Sequence, residues 1–459
     1  MQFTVDKDVV IRKWPRMEEY QNSTLRYTPP KNFPAYWAGI NGRPKIMRCW
    51  ITLDEVWDYR TDEYNWNYQI GVNKYENDPK HYIYDWDRTV PSDTLFEDYL
   101  TSFCAIADDV MLNIRRYERE TADGIVSYEK YEEVVEKVIA HCKALCPNIK
   151  YIEVCNESEA KVFGGITVPQ YMKLYDCVCR AVNRLNKNYK EPLLVGGSAI
   201  TGHWYFSMWR EILEAFAADK TPELRIDFYS MHDYDPDTSR LQSMYNLHKS
   251  AVAELGLPDG PMYYNEYGTR RATGILEDSL GNASETLTGM MRASDMQGMY
   301  VFPWCTFHNP KLQMSYSQYL RQPDDSYVPT PNGQAMTMLH NMLRDELLVT
   351  GDTNYRVRAT SGATNGATCE GDSIAIIITN PCAVSLEIWG IVKGLAPGKV
   401  KVIAFQVDAK QNNCVTGPVC DRLNVTSERI VDVTENGMEL PWALPPFGFV
   451  FLKLIRAGT

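Results

Sequence analysis

At 459 residues the chain is too long for one ordinary core, so two domains are expected, one of them large enough for an α/β barrel. Hydrophobic residues make up 44% and charged residues 23%, a globular balance with no apolar run of membrane-spanning length. A formal net charge of -12 excludes nucleic acid and anionic membrane as natural partners, since neither is drawn to a negative field.

Residues 1–44 are rich in Pro and aromatics, with a strand expected at Phe3–Ile11 and turns around Pro29-Pro30 and Asn41-Gly42-Arg43-Pro44. They suggest no chemistry. Lys45–Leu53 alternates into a buried strand that carries a charge, Arg48, beside Cys49 and Trp50, so Arg48 must be paired with a carboxylate. From 54 to 92 the chain is dense in Trp and Tyr (Trp57, Tyr64, Trp66, Tyr68, Tyr75, Tyr82, Tyr84, Trp86) with neither helical nor strand period. A long irregular stretch with this aromatic content is ordered, and it reads as an inserted loop region. It either walls a cleft or glues itself to the domain.

A rhythm of strands and helices follows. Leu95–Ala107 is helical, Asp109–Ile114 a strand, Tyr131–Leu145 an amphipathic helix, and Tyr151–Cys155 a strand that ends in Asn156-Glu157-Ser158. Thr167 and Gln170 form a capping box with Pro169 early in the next helix. Then come the strand Leu193–Gly197, a helix over Trp209–Ala217, the strand Ile226–Ser230 running into His232-Asp233-Tyr234, and a helix over Thr238–Leu255. The strand from Met262 ends in Asn265-Glu266-Tyr267, a helix spans Ser284–Gln297, the strand from Met299 ends at Trp304, and Pro331–Leu343 is the last helix. With no Gly-x-Gly-x-x-Gly after any strand, this alternation favours a (β/α)8 barrel over a dinucleotide-binding sheet. Arg48, Asn156, Glu157, His232, Tyr234, Glu266 and Trp304 all fall near the C-terminal ends of expected strands, where barrel enzymes build their sites.

After residue 344 the texture changes to short strands separated by Gly, Asn, Asp and Pro turns, with no good helix, which reads as an antiparallel β-sandwich. The expected division is a catalytic barrel over 1–344 and an accessory sandwich over 345–459, with residues 1–12 a candidate extra strand for the latter. Trp389 or Trp442 could bind sugar there, although a sandwich Trp is more often core.

Twelve Cys show no metal spacing, and neither Cys177-Val178-Cys179 nor Cys142 with Cys146 has a His pair to complete a site, so buried free thiols are expected. Of the seven His, His203, His232 and His308 lie on different loops without a His-x-His, which disfavours a metal hydrolase; no metal and no cofactor are expected. The first residues lack the basic and apolar segments of a signal peptide, which suggests a cytoplasmic protein or a secreted one whose leader is absent from this sequence. The sequons at Asn22, Asn282 and Asn424 occur at the level of chance. The 29 Tyr and 11 Trp supply many flat faces with one polar handle, suited to sugar rings as well as to a core. Oligomeric state is not readable.

Alone, Asn156-Glu157 could be a helix cap and a surface charge. Glu266, closing another apolar strand, changes its weight. Two carboxyls at one barrel mouth can flank a sugar, one protonating the leaving oxygen and the other presenting negative charge or a nucleophile to the anomeric carbon. A neighbouring cation such as Arg48 would keep the second ionised while desolvation keeps the first protonated.

These residues resemble clan A of the glycoside hydrolases and, more closely, glycoside hydrolase family 39, the β-xylosidase and α-L-iduronidase family. The matching pieces, in order, are Arg48-Cys49-Trp50, Tyr151 through Ser158, Val195-Gly196-Gly197-Ser198-Ala199, Asp227 through His232, Tyr264-Asn265-Glu266-Tyr267 and Trp304-Cys305-Thr306-Phe307. The resemblance implies retention of configuration, with Glu157 as acid/base, Glu266 as nucleophile and Asn156 holding the 2-hydroxyl. It places His232 at the end of the sixth strand lining the sugar site and Trp304 as a platform beneath the sugar. Arg48, Trp50 and Tyr234 are further candidates for substrate binding, read from the residues themselves. Three departures stand out: Arg48-Cys49-Trp50 where the family tends to show Arg-x-His, Cys155-Asn156-Glu157-Ser158 where Trp-Asn-Glu-Pro is common, and the aromatic stretch 54–92, which has no counterpart in the family pattern. The expected activity is a retaining glycosidase, exo-acting and β-xylosidase-like on a glycoside or oligosaccharide; the alternatives are an endo-acting clan A enzyme and a catalytically silent carbohydrate-binding barrel.

Overall fold

The structure, a computed structural model, describes all residues except 24–30, 73–74, 76–93, 202–205, 270–274, 309–313, 363–372 and 458–459. Eight strands form one sheet with every neighbouring pair parallel: Tyr20–Asn22, Ile46–Thr52, Asp109–Arg115, Ile149–Val154, Leu194–Thr201, Phe228–Asp233, Met262–Tyr267 and Met299–Pro303. The first and last strands touch, with the Tyr20 and Tyr300 rings stacked at 4.4 Å, so the sheet closes on itself. Helices follow each strand and pack outside, from Phe33–Asn41 to Pro331–His340. This is a (β/α)8 barrel beside a β-sandwich.

Local chemistry explains the helices. In Tyr128–Leu145 the Ser127 side chain accepts the Lys130 N–H at 3.1 Å, and Tyr131, Val134, Val135, Val138 and Cys142 bury one stripe. Val168–Leu185 opens on the Thr167/Gln170 capping box with Pro at its first turn.

Side-chain alternation layers the barrel interior. Tyr20, Ile46, Met111, Tyr151, Phe228, Tyr263 and Phe302 form one apolar cluster. Two residues further along the same strands, pointing the same way, stand Asn22, Arg48, Asn113, Glu153, Ser230 and Asn265, with Trp304 just past the end of the last strand. A largely polar layer therefore rests on a buried, mostly aromatic one.

The second sheet has nine strands, in the order Ser427–Val433, Gly398–Val407, Phe449–Arg456, Ile374–Thr379, Val357–Ser361, Asp345–Thr350, Gln2–Lys13, Leu386–Lys393 and Met438–Leu444. Its two ends come into contact, so it folds over a core that includes Phe3, Val5, Leu347, Val402 and Leu452. Ile374–Thr379 is buried on both faces: Ile374, Ile376 and Ile378 enter this core, while Ala375 and Ile377 pack with the barrel.

Several expectations need correction. Residues 1–44 hold the first barrel strand, Tyr20–Asn22, and the helix Phe33–Asn41, neither of which was expected; three residues are too few to show a period. The turn expected at Pro29-Pro30 lies outside the described residues. The second sheet is not wholly antiparallel, because Gln2–Lys13 runs parallel to Leu386–Lys393. Met438–Leu444 is a strand in spite of Pro441, which is tolerated because the strand closes the row as an edge. The helix expected at Ser284–Gln297 runs from Ser279 to Ala293, with Gly281 inside it.

Within 54–92, the described residues include a one-turn helix, Leu53–Val56, and a hairpin of Trp57–Asp58 with Glu63–Tyr64. Their rings lie against the barrel: Trp66 on His141 at 4.4 Å, Tyr68 on Phe96 at 4.9 Å, Trp57 edge-on to Tyr117 at 5.3 Å. For this part the rings attach the segment to the barrel helices. Tyr82, Tyr84 and Trp86 lie outside the described residues. All cysteines among the described residues are free, and no described helix is long and apolar enough to cross a membrane.

Candidate active site

The strand Ile149–Val154 ends beneath the barrel mouth, and the backbone then turns sharply. Cys155 (φ 63°) and Glu157 (φ 46°) both adopt the left-handed region that side chains disfavour. The Asn113 Nδ2 donates to the Cys155 carbonyl at 2.7 Å, and the Glu157 N–H donates to the Ala199 carbonyl at 2.9 Å. Neighbouring strands thus hold a turn that aims Asn156 and Glu157 into the mouth. Both are buried, as are Arg48, Trp50, His232, Tyr234 and Glu266; Trp304 is partly exposed.

Arg48 organises the floor of this site. Its Nε donates to Glu153 Oε2 at 2.7 Å, Nη1 to Glu266 Oε1 at 2.9 Å, and Nη2 to Asn156 Oδ1 at 3.0 Å, with His232 Nε2 3.4 Å away. The indole of Trp50 lies 3.9 Å beneath the guanidinium carbon and meets Trp304 edge-on at 5.8 Å. Burial opposes the Arg48 charge, but Glu153 and Glu266 outweigh it and raise its pKa above the ordinary value. Glu153, itself fully buried, is held below the usual carboxylate range because Arg48, Ser230, His232 and Asn265 together overcome the burial that would raise it.

The two mouth carboxyls face one another. One oxygen of Glu157 and one of Glu266 lie within 4.8 Å, and His232 stands between the residues with Nδ1 2.8 Å from Glu157 Oε1 and 3.5 Å from Glu266 Oε2. Tyr234 donates its hydroxyl to Glu266 Oε2 at 2.7 Å, so both oxygens of Glu266 accept a hydrogen bond. Burial disfavours the imidazolium, yet Glu266 and Glu157 more than compensate and raise the His232 pKa despite Arg48. Glu159 Oε1 accepts the Thr201 N–H at 2.9 Å, and burial, then the neighbouring Glu157, push its carboxyl up to about 7.

Glu157, His232 and Glu266 are the one cluster of metal-ligand type among the described residues. Arg48 stands 2.9 Å from Glu266 and 3.4 Å from His232 and opposes a second cation there. His203 lies outside the described residues, and His308 meets Trp304 at 5.9 Å.

All eight residues singled out from the sequence therefore meet at one mouth. Sequence reasoning gave no role to Asn22, Asn113, Glu153 or Asn265, which form the buried layer below. For Glu153 the signal was present: a charge inside an apolar strand, the same reason that singled out Arg48.

Residues 115–259 match the model of glycosyl hydrolases family 39. That stretch is similar to the glycosyl hydrolases of family 39. The match contains Asn156, Glu157, His232 and Tyr234; Arg48, Trp50, Glu266 and Trp304 lie outside it, and geometry alone joins them to it. Solved structures agree over the whole chain. A monomeric β-xylosidase from Caulobacter crescentus CB15 is 15% identical with a TM-score of 0.68, covering 100% of both chains. A family 39 enzyme from Xanthomonas axonopodis pv. citri is 14% identical with a TM-score of 0.66, covering 99% of this chain and 97% of that one. A bacterial orthologue of human α-L-iduronidase is 14% identical with a TM-score of 0.65, covering 99% and 84%. At such identities the likeness is one of fold. No curated protein matches the chain. The protein is a glycoside hydrolase, and its substrate is a carbohydrate.

Proposed function

We propose that this glycoside hydrolase acts with retention of configuration, as an exo-acting, β-xylosidase-like enzyme. The observation that carries the reading is the spacing of Glu157 and Glu266, whose nearest ligand oxygens lie within 4.8 Å. Retaining enzymes hold their carboxyls about 5–5.5 Å apart, whereas inverting ones need about 6.5–9.5 Å to admit a water.

In the first step Glu157 gives its proton to the glycosidic oxygen while Glu266 attacks the anomeric carbon from the opposite face. The bond to the leaving oxygen breaks, the aglycone departs as an alcohol, and a glycosyl ester of Glu266 remains. In the second step Glu157, now a carboxylate, takes a proton from water; the water oxygen displaces Glu266 and the sugar leaves with its original configuration. The donors around Glu266 orient it for attack. Arg48 can only donate, so the Asn156 oxygen at 3.0 Å is the acceptor and its Nδ2 is left to donate to the 2-hydroxyl. Trp304, partly exposed above Trp50, offers a face to the sugar.

The test is a panel of aryl β-D- and α-L-glycosides with the anomer of the first-formed product read by NMR. Retention with an aryl β-D-xyloside among the substrates is expected, and Glu266→Ala abolishes turnover. An inverted product would remove Glu266 as the nucleophile; turnover of oligosaccharides from internal bonds would make the enzyme endo-acting.

A further inference from the structure

Beneath the two mouth carboxyls lies a third that the double-displacement scheme does not use. Glu153 is fully buried and accepts hydrogen bonds from Arg48 Nε at 2.7 Å, from Asn113 Nδ2 at 2.7 Å and from Asn265 Nδ2. Asn265 immediately precedes Glu266, and Asn113 also holds the Cys155 carbonyl of the turn that carries Glu157. Glu153 therefore touches supports of both mouth carboxyls, and it grips Arg48 Nε, which leaves Nη1 to Glu266 and Nη2 to Asn156.

We infer that Glu153 is a positioning residue for the hydrolytic reaction: by holding Arg48 Nε it sets the guanidinium plane so that Nη1 meets Glu266 and Nη2 meets Asn156. A guanidinium is a rigid planar fork, so fixing Nε within a buried cage fixes the direction of both Nη groups. A second consequence is electrostatic. Arg48 and Glu266 alone would form a neutral pair; with Glu153 opposite, the buried trio keeps one net negative charge. That charge faces a transition state in which positive charge develops on the sugar ring. The same carboxylate acts electrostatically on His232, as do Glu157, Glu266, Arg48 and Glu159. The inference rests on the retaining reading for its catalytic consequence, but the placement of Arg48 does not.

The experiment compares the full-length wild type with Glu153→Gln and Glu153→Asp. The readouts are kcat/KM against pH on an aryl glycoside that the wild type cleaves and, independently of turnover, the titration of the His232 ring by NMR with labelled histidine. In Glu153→Gln the third carboxylate is neutral: kcat/KM falls by at least about tenfold, the acid limb of the profile moves to lower pH, and the His232 ring titrates lower. A merely structural role moves neither the limb nor the ring in the protein that remains folded, and that outcome overturns the inference. Glu153→Asp keeps the charge but withdraws the carboxylate by one methylene, so kcat falls while the limb and the ring stay near the wild type. If Glu153→Gln cannot be isolated folded, the aspartate variant decides: a wild-type kcat overturns the inference and a reduced kcat in a folded protein supports it. If the wild type turns over no glycoside, the retaining reading fails, and the His232 titration still decides whether Glu153 sets the charge around Arg48.

Discussion

The Tyr234 hydroxyl donates to Glu266 Oε2 at 2.7 Å from the end of the neighbouring strand, opposite the oxygen that Arg48 holds. Each oxygen of Glu266 thus has its own donor, and the carboxylate plane is fixed before a sugar arrives. Tyr234→Phe keeps the ring, which packs on Tyr316 at 5.8 Å, and deletes only that donor. A hydrogen bond to a charged group contributes about 1.5–3 kcal/mol, so kcat/KM should fall by roughly 10- to 100-fold, with a modest fall in melting temperature in a protein that still folds. Steady-state rates beside a thermal melt check this. An unaltered rate would mean that Arg48 alone orients Glu266.

Glu157 and Glu266 should differ in how they fail. With a good aryl leaving group the first step needs little acid assistance, so Glu157→Ala should form the glycosyl-enzyme and stall at its hydrolysis. Stopped-flow absorbance should show a burst of the aryl alcohol close to one equivalent of enzyme, and added azide should restore turnover by attacking the ester. Glu266→Ala should show no burst. A burst in that variant, or none in Glu157→Ala, would exchange or remove the assigned roles.

The barrel was legible because its strands are apolar runs and its helices carry a 3.6-residue stripe, so the polar residues at strand ends announced a shared mouth. What one sequence cannot display is pairing at a distance. Arg48 visibly required a partner, and Glu153 was visibly a charge in an apolar strand, yet the two stand 105 residues apart and their bond exists only once the third barrel strand sits between them. Tyr20–Asn22 escaped notice for another reason: three residues carry no period, and the strand is defined by its pairing with Ile46–Arg48. Pro441 disguised an edge strand. The exposed Trp389 and the Trp442 held by Gln406 at 3.0 Å look alike in sequence, and only burial and partners separate them.

His232 gives the protein a pH-dependent contribution to stability. Its folded-state pKa lies above the ordinary value because Glu266 and Glu157 outweigh its burial and the opposing Arg48. A raised pKa means that the folded protein binds the proton more tightly, so the contribution is complete below the unfolded pKa of about 6.5 and is lost as pH rises through the folded value. His232→Gln should therefore lower the melting temperature most at about pH 5.5 and least at about pH 9. Differential scanning fluorimetry of both proteins across that range tests it. A deficit that stays constant with pH would show that the ring contributes packing and a neutral hydrogen bond, not charge.

Glu18 makes the opposite prediction, far from the chemistry. It lies in the turn Met17–Glu19 that leads into the first barrel strand, and Arg16 Nε, 3.1 Å away, is its ion-pair partner. Burial pushes its carboxyl up to about 7, and Arg16 offsets only part of that. Here the folded protein prefers the neutral acid. No penalty exists below the unfolded carboxylate pKa; it grows as pH rises and is complete above the folded value, at an order of 3 kcal/mol for a shift of this size. Glu18→Gln keeps the shape without the charge, and Arg16 retains its bonds to the Met342 carbonyl at 2.8 Å and the His340 carbonyl at 3.1 Å. The variant should unfold at higher temperature than the wild type at about pH 8 and at the same temperature at about pH 4. Lower stability at pH 8 would mean that the Arg16 pair outweighs the burial of its carboxylate, and that the first strand is anchored by that charge.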